Sequence, residues 1–358
     1  MNPIDATDVF ALTRQLVDVA SESFAEQELV DLLEAELRTL PHLEVTRVGD
    51  NVVARTQLGR DQRLVLGGHT DTVPANANFP SHVDNDTLWG VGAADMKGGL
   101  ACMLASARRH TDPRLDLTYV FYAREEVAAV HSGLGELFDE RPDLLVGDVA
   151  LLGEPTDGKI EAGCQGSLRF RLTLAGRRAH TARAWMGRNA VHRLAPVLTA
   201  LADYDARQPV VAGCRYHEAL LAVGIEGGVA GNVVPDSATL LVVHRFAPDR
   251  TSAEAETHVR SVIEPLLDEG DVFELVDVAS AAAPAVDHPL VAALIERNDL
   301  PVTAKLGWTD VARFAERGIP AANFGPGDPT IAHTAGEHVT RDSVDRTWAA
   351  LDDLISRG

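Results

Sequence analysis

The sequence predicts an α/β protein carrying a second, smaller α+β module inserted within it, and three observations support this. Short apolar runs of strand length alternate with helical periodicity through residues 1–166 and again in 281–358. Between them, over 167–280, the order of elements changes to a βαββαβ pattern. At 358 residues the chain also exceeds the size at which one hydrophobic core stops growing.

Taken in order, Leu29, Leu33 and Leu37 recur at helical spacing behind Ser23-Phe24-Ala25-Glu26, which reads as a capping box and places a helix start near Ser23. The runs 52–55, 64–66, 117–123 and 149–152 read as strands, with 98–110 a helix among them and 321–324 a further strand near the end. This interleaving predicts a central mixed sheet, at least partly parallel, flanked by helices. In the middle, 167–174 alternates polar and apolar residues, and Val191, Leu194, Leu198 and Leu201 mark one helix face. Strand, helix and strand follow at 238–246, 253–267 and 272–278. The expected division is one discontinuous domain, 1–166 with 281–358, and one insert, 167–280.

Composition removes several functions. Fifty-three acidic against 32 basic residues give a net charge of -21, which repels a phosphate backbone, so nucleic acid is not an expected partner. No apolar run approaches the roughly 18 residues that a membrane helix needs. Cys102, Cys164 and Cys214 are widely spaced and form neither a disulfide framework nor a cysteine zinc site. The opening residues, Met1-Asn2-Pro3-Ile4-Asp5, do not read as a signal peptide, and the expected location is the cytoplasm.

Side chains able to bind metal or move protons stand directly after the expected strands. His69 and Asp71 follow 64–66, Glu125 and Glu126 follow 117–123, Glu154 follows 149–152, and His333 lies in the loop after 321–324. Ligand sites in open α/β sheets gather at the carboxyl ends of strands, so these loops are expected to converge, joined by Asp95 ahead of the helix at 98. Singly, each has an ordinary reading: a hydrogen-bonded loop pair, a solvated strand end, a turn, a helix N-cap, a surface histidine. Together, imidazoles and carboxylates without thiolate suit divalent metals, and their number exceeds what one tetrahedral ion requires. A two-metal hydrolytic site also needs one carboxylate kept off the metals as a base, and the adjacent Glu125-Glu126 pair allows that division.

The ordered segments Gly67-Gly68-His69-Thr70-Asp71-Thr72-Val73-Pro74, Asp95-Met96-Lys97-Gly98-Gly99, Glu125-Glu126, Gly153-Glu154-Pro155-Thr156 and Ala332-His333 resemble the motifs of the aminoacylase/carboxypeptidase family of dinuclear zinc amidohydrolases, along essentially the whole chain. The resemblance implies a zinc-dependent exopeptidase-like catalytic domain with a ferredoxin-like lid that also forms a homodimer. It implies two divalent ions, zinc first with cobalt or manganese as alternatives, one on His69, Asp95 and Glu154 and one on Asp95, Glu126 and His333. Glu125 is then the general base, Asp71 orients the His69 ring, and the Asp95-Met96 peptide is cis. His180 is expected to stabilise the oxyanion from the other subunit, and Arg178, Asn232, Arg245, Thr309 and Gly325 to line the substrate pocket.

Glu154, where aminopeptidase-like members carry Asp, implies the carboxypeptidase and deacylase branch. Further segments, among them Glu161-Ala162-Gly163-Cys164-Gln165-Gly166 and His244-Arg245-Phe246-Ala247-Pro248, resemble members that remove succinate from N-succinyl-LL-2,6-diaminopimelate, a small anionic acyl-amino acid. Deacetylation of acetylornithine is the alternative within the family, and a non-catalytic metal-binding protein the alternative of another class. Independently of the resemblance, the stretch between Glu161 and Asp203 holds no acid but contains Arg169, Arg171, Arg177, Arg178, Arg183, Arg188 and Arg193. It reads as a positive island around His180 that guides a polyanionic substrate, or as a merely basic surface.

Overall fold

The computed structural model describes residues 8–358; the residues read above for a leader lie outside them. The chain forms two compact units. The first takes the chain up to Gly163, Pro284–Thr303 and Arg313–Gly358; the second comprises Cys164–Ala283 and Ala304–Ala312. The short segment Ala304–Ala312 thus clusters with the second unit, although its sequence position lies beyond the expected insert.

The first unit is built on an eight-stranded mixed sheet. Its centre is four neighbouring parallel strands, Asp116–Tyr122, Arg63–His69, Val149–Leu152 and Ala321–Asn323. Asn51–Arg55 joins antiparallel outside Asp116–Tyr122, and Ile160–Ala162 outside Ala321–Asn323. Strands Asp116–Tyr122 and Val149–Leu152 are buried along their whole length, as expected of strands covered on both faces. Helices Gly98–Arg109 and Arg341–Arg357 pack on this scaffold with their apolar stripes turned inward. Because the four central strands are parallel, their carboxyl ends emerge on one side, and the loops there carry His69, Glu125, Glu126, Glu154 and His333.

The capping box near Ser23 does not form. The helix is Gln27–Arg38, with Glu26 before it and no side-chain cap. Phe24 takes a left-handed φ of 71°, which breaks the helical path. The Ser23 hydroxyl instead donates to Asp71 Oδ2 at 2.7 Å, a hydrogen bond strengthened by the charge of the carboxylate.

The second unit has the βαββαβ order. Strands Gly166–Ala175, Ala219–Gly227, Ser237–Phe246 and Val272–Ala279 form an antiparallel sheet. Ala219–Gly227 and Val272–Ala279 are at its edges. Alternation along Gly166–Ala175 and Ser237–Phe246 sends Leu168, Phe170, Leu172, Leu240 and Val242 into a core shared with helices Leu194–Ala202 and Ser252–Ile263. Truncating one such leucine to alanine costs about 2–5 kcal/mol. The second of these helices begins with a complete capping box, Thr251 and Glu254. Among the described residues no helix is long and apolar enough to cross a membrane.

Candidate metal centre

The first unit brings four chemically capable side chains into direct contact. His69 ends its strand 1% exposed, with Nε2 3.1 Å from Asp95 Oδ1. The other oxygen of Asp95, Oδ2, lies 3.3 Å from His333 Nε2, which is also 2.8 Å from Glu126 Oε1. Asp95 therefore presents one oxygen to each imidazole, the arrangement a bridging carboxylate needs. Ligand atoms of His69, Asp95 and Glu126 lie within 4.8 Å of one another. Glu154 is buried beyond the neighbouring parallel strand Val149–Leu152 and stands outside that group of three.

Glycines let the Glu154 loop fit. A Cβ at Gly99 would collide with the carbonyl of Gly153, and one at Gly325 with the carbonyls of Gly153 and Glu154. Gly325 also accepts at its carbonyl from Gly158 N, at 3.0 Å, and donates its amide to Thr156 Oγ1, at 3.2 Å. Its backbone is thus committed to the Glu154 loop, and close packing is the reason for glycine there.

Asp71 organises the centre. Its backbone carbonyl lies 3.0 Å from His69 Nδ1 and its carboxylate oxygen 3.6 Å away, so the ring is held chiefly by the main chain. Nδ1–H donating there fixes the ring and leaves Nε2, on the Asp95 side, as the nitrogen a metal ion could take. The Asp71 carboxylate accepts from Glu125 N at 3.0 Å, Glu126 N at 3.1 Å and Ser23 Oγ at 2.7 Å. Burial alone would raise its pKa, but the His69 contact and these donors together hold it at about 2. Asp71→Asn would turn an amide N–H₂ toward one of these donors, and turnover is expected to fall about 10–100-fold. Steady-state kinetics checks this; an unchanged kcat would remove Asp71 from the positioning role.

The preceding turn is anchored separately. Arg124 has a left-handed φ of 62°, and its guanidinium is held by Asp50 at 3.1 Å, Glu136 at 2.9 Å and the His131 carbonyl at 2.9 Å. Ser23, Arg124 and a third residue, Glu337, escaped the sequence reading. For Glu337 the available signal was an acid four residues after His333 in a loop of small residues; Ser23 offered none beyond the misleading cap pattern.

The donor set fits divalent metal. Among protein atoms alone, Asp95 and Glu126 push the His333 pKa up to about 10. Against the opposing effect of burial, Asp71 and Asp95 push His69 well above its ordinary value. The carboxylates thus demand cationic charge at the two imidazoles. A metal ion supplies that charge while leaving Nε2 free to coordinate.

The remaining expected site residues belong to the second unit. His180 is exposed, and its Nδ1 accepts from Ala182 N at 3.0 Å, which leaves the proton of a neutral ring on Nε2. The positive island is not an island in space: Arg178 pairs with Asp236 at 2.7 Å, Arg193 with Asp271 at 2.6 Å, Arg188 with Asp268, and Arg169 approaches Asp277 at 3.9 Å. The acids come from later strands and turns, which the local window could not contain. Arg178 is therefore already paired with an acid, as are three more of the seven arginines. Arg245 differs. It is partly buried, its main chain is paired in the sheet, and its guanidinium makes no hydrogen bond or ion pair among the described residues; burial first, and Arg169 beside it second, hold its pKa below the ordinary value. Asn232 is exposed with its carbonyl accepting from Thr181 N at 3.0 Å, and Thr309 is buried with its carbonyl near Cys164 Sγ at 3.8 Å.

A family model described as peptidase family M20/M25/M40 matches residues 65–357. A Mycobacterium tuberculosis protein provisionally named succinyl-diaminopimelate desuccinylase DapE is 50% identical over 349 residues, covering 97% of each chain. The succinyl-diaminopimelate desuccinylase of Corynebacterium glutamicum is 43% identical over 355 residues, covering 98% of this chain and 96% of the relative. The crystal structure of aminopeptidase PepT from Bacillus cereus matches with a TM-score of 0.79 at 20% identity, covering 99% of this chain and 98% of the other, a likeness of fold.

Proposed function

The chain belongs to peptidase family M20/M25/M40, and from that premise we propose that it is a dinuclear metal amidohydrolase releasing succinate from N-succinyl-LL-2,6-diaminopimelate. One observation carries the substrate assignment: identities of 50% and 43% along 97% and 98% of the chain to relatives bearing that name. The contacts of His69, His333, Asp95 and Glu126 support the chemistry. His69, Asp95 and Glu154 would hold one ion and Asp95, Glu126 and His333 the other, with zinc as first choice and cobalt or manganese as alternatives. When bound, such a pair of ions acidifies a water and polarises the scissile carbonyl.

Glu125 takes the proton of the attacking water, and the water oxygen bonds to the succinyl carbonyl carbon. As charge develops on the carbonyl oxygen, His180 donates Nε2–H to it. The carbon–nitrogen bond then breaks and Glu125 passes its proton to the departing amine, releasing succinate and LL-diaminopimelate. Arg245, a partly buried guanidinium with no acid of its own, binds a substrate carboxylate. The enzyme works in the cytoplasm as a homodimer through the second unit, with His180 serving the partner's metal centre.

Two experiments test this. Metal-loaded protein should hydrolyse N-succinyl-LL-2,6-diaminopimelate with a kcat/KM far above that for N-acetylornithine, and a chelator should abolish both. Preference for acetylornithine would keep the chemistry and overturn the substrate; hydrolysis of neither would favour a metal-binding protein without turnover. Mixing inactive His180→Ala and Glu125→Gln subunits should restore activity in hybrid dimers, and verified hybrids that stay inactive would argue against sharing across the dimer.

A further inference from the structure

We infer that Glu337 is a positioning residue of the metal centre: its buried carboxylate fixes the main chain carrying Asp95 and ties it to the loop carrying His333. The inference rests on the metal-centre reading above. Glu337 is 1% exposed, and a single oxygen, Oε1, accepts from both Ala94 N and Asp95 N at 3.1 Å each. Two consecutive amides pointing the same way just ahead of helix Gly98–Arg109 need an acceptor, and a carboxyl oxygen supplies one for both.

The main chain of Glu337 completes the clamp. Its amide donates to the carbonyl of Thr334, the residue after His333, at 3.2 Å, and its carbonyl accepts from Gly90 N at 3.1 Å. The next residues, His338–Thr340, pair with strand Thr87–Trp89, which leads into the Asp95 segment. One residue therefore sets the spacing between Asp95 and His333, which come from distant parts of the chain. Oxygens of Asp95 lie 3.1 and 3.3 Å from the His69 and His333 rings, so a small shift of its main chain misplaces a ligand shared by both ions.

The test is a titration of chelator-stripped protein with zinc against a competing chromophoric chelator, for wild type, Glu337→Ala, Glu337→Asp and Glu337→Gln. The control is Asp116→Ala. Asp116 is another buried carboxylate accepting two amides, Leu58 N and Arg60 N at 2.9 Å each, but it begins its strand at the opposite end from the site. Glu337→Ala and the shorter Glu337→Asp should weaken zinc binding about 10–100-fold, and Glu337→Gln, whose amide oxygen can accept the same two bonds, should recover most of it. Asp116→Ala should lower the melting temperature and leave zinc affinity unchanged. If Glu337→Ala does not fold, the Asp and Gln variants decide between them. Wild-type affinity in Glu337→Asp, or an equal loss in Asp116→Ala, would overturn the inference. Wild-type protein that binds no zinc would overturn the metal-centre reading and this inference with it.

Discussion

Glu125→Gln is expected to lower kcat by about 10²–10⁴-fold while leaving the metal content at the wild-type level. Glutamine keeps the size of the side chain and the main-chain bond from residue 125 to Asp71 Oδ1, 3.0 Å in the structure, so the loop holding Glu126 stays in place. It loses only the ability to take a proton from water and return it to the amine. Metal analysis alongside steady-state kinetics separates this outcome from loss of the site. Retained turnover would remove Glu125 as the base, whereas loss of metal together with turnover would make it a ligand instead.

Asp95→Ala should have a comparably large effect through a different route. Its two oxygens face different imidazoles, at 3.1 Å for His69 and 3.3 Å for His333, so one substitution takes a ligand from both proposed ions. The expected loss of affinity exceeds the roughly 10–100-fold typical of removing a group that merely supports a ligand. Metal content should fall below one ion per chain, with no turnover at any practical metal concentration. A variant that still holds two ions would mean that Asp95 does not bridge.

Much of this fold is legible locally. The central strands announce themselves as short apolar runs, and the ligating residue types stand directly after them because parallel strands deliver their carboxyl ends to one side. The order of strands is not legible: Asp116–Tyr122 lies between Asn51–Arg55 and Arg63–His69, a choice made by tertiary pairing. Failures of the local reading share that cause. Ser23 looks like a helix cap until folding brings Asp71 within 2.7 Å, and the arginines after Glu161 look unpaired until Asp236, Asp268 and Asp271 arrive from later segments. Glu337 carries no motif of its own, since its contacts to Ala94 and Asp95 span most of the chain. The residues suited to the proposed chemistry can be read from type and position, while those that hold them in place become visible only when distant segments meet.

The most direct test of the central claim is anomalous diffraction from zinc-loaded crystals. Two peaks per chain are expected about 3.5–4 Å apart. One should lie about 2.0–2.2 Å from donors of His69, Asp95 and Glu154, the other equally close to donors of Asp95, Glu126 and His333. A single peak, or a pair that does not share Asp95, would contradict the two-metal hydrolytic centre.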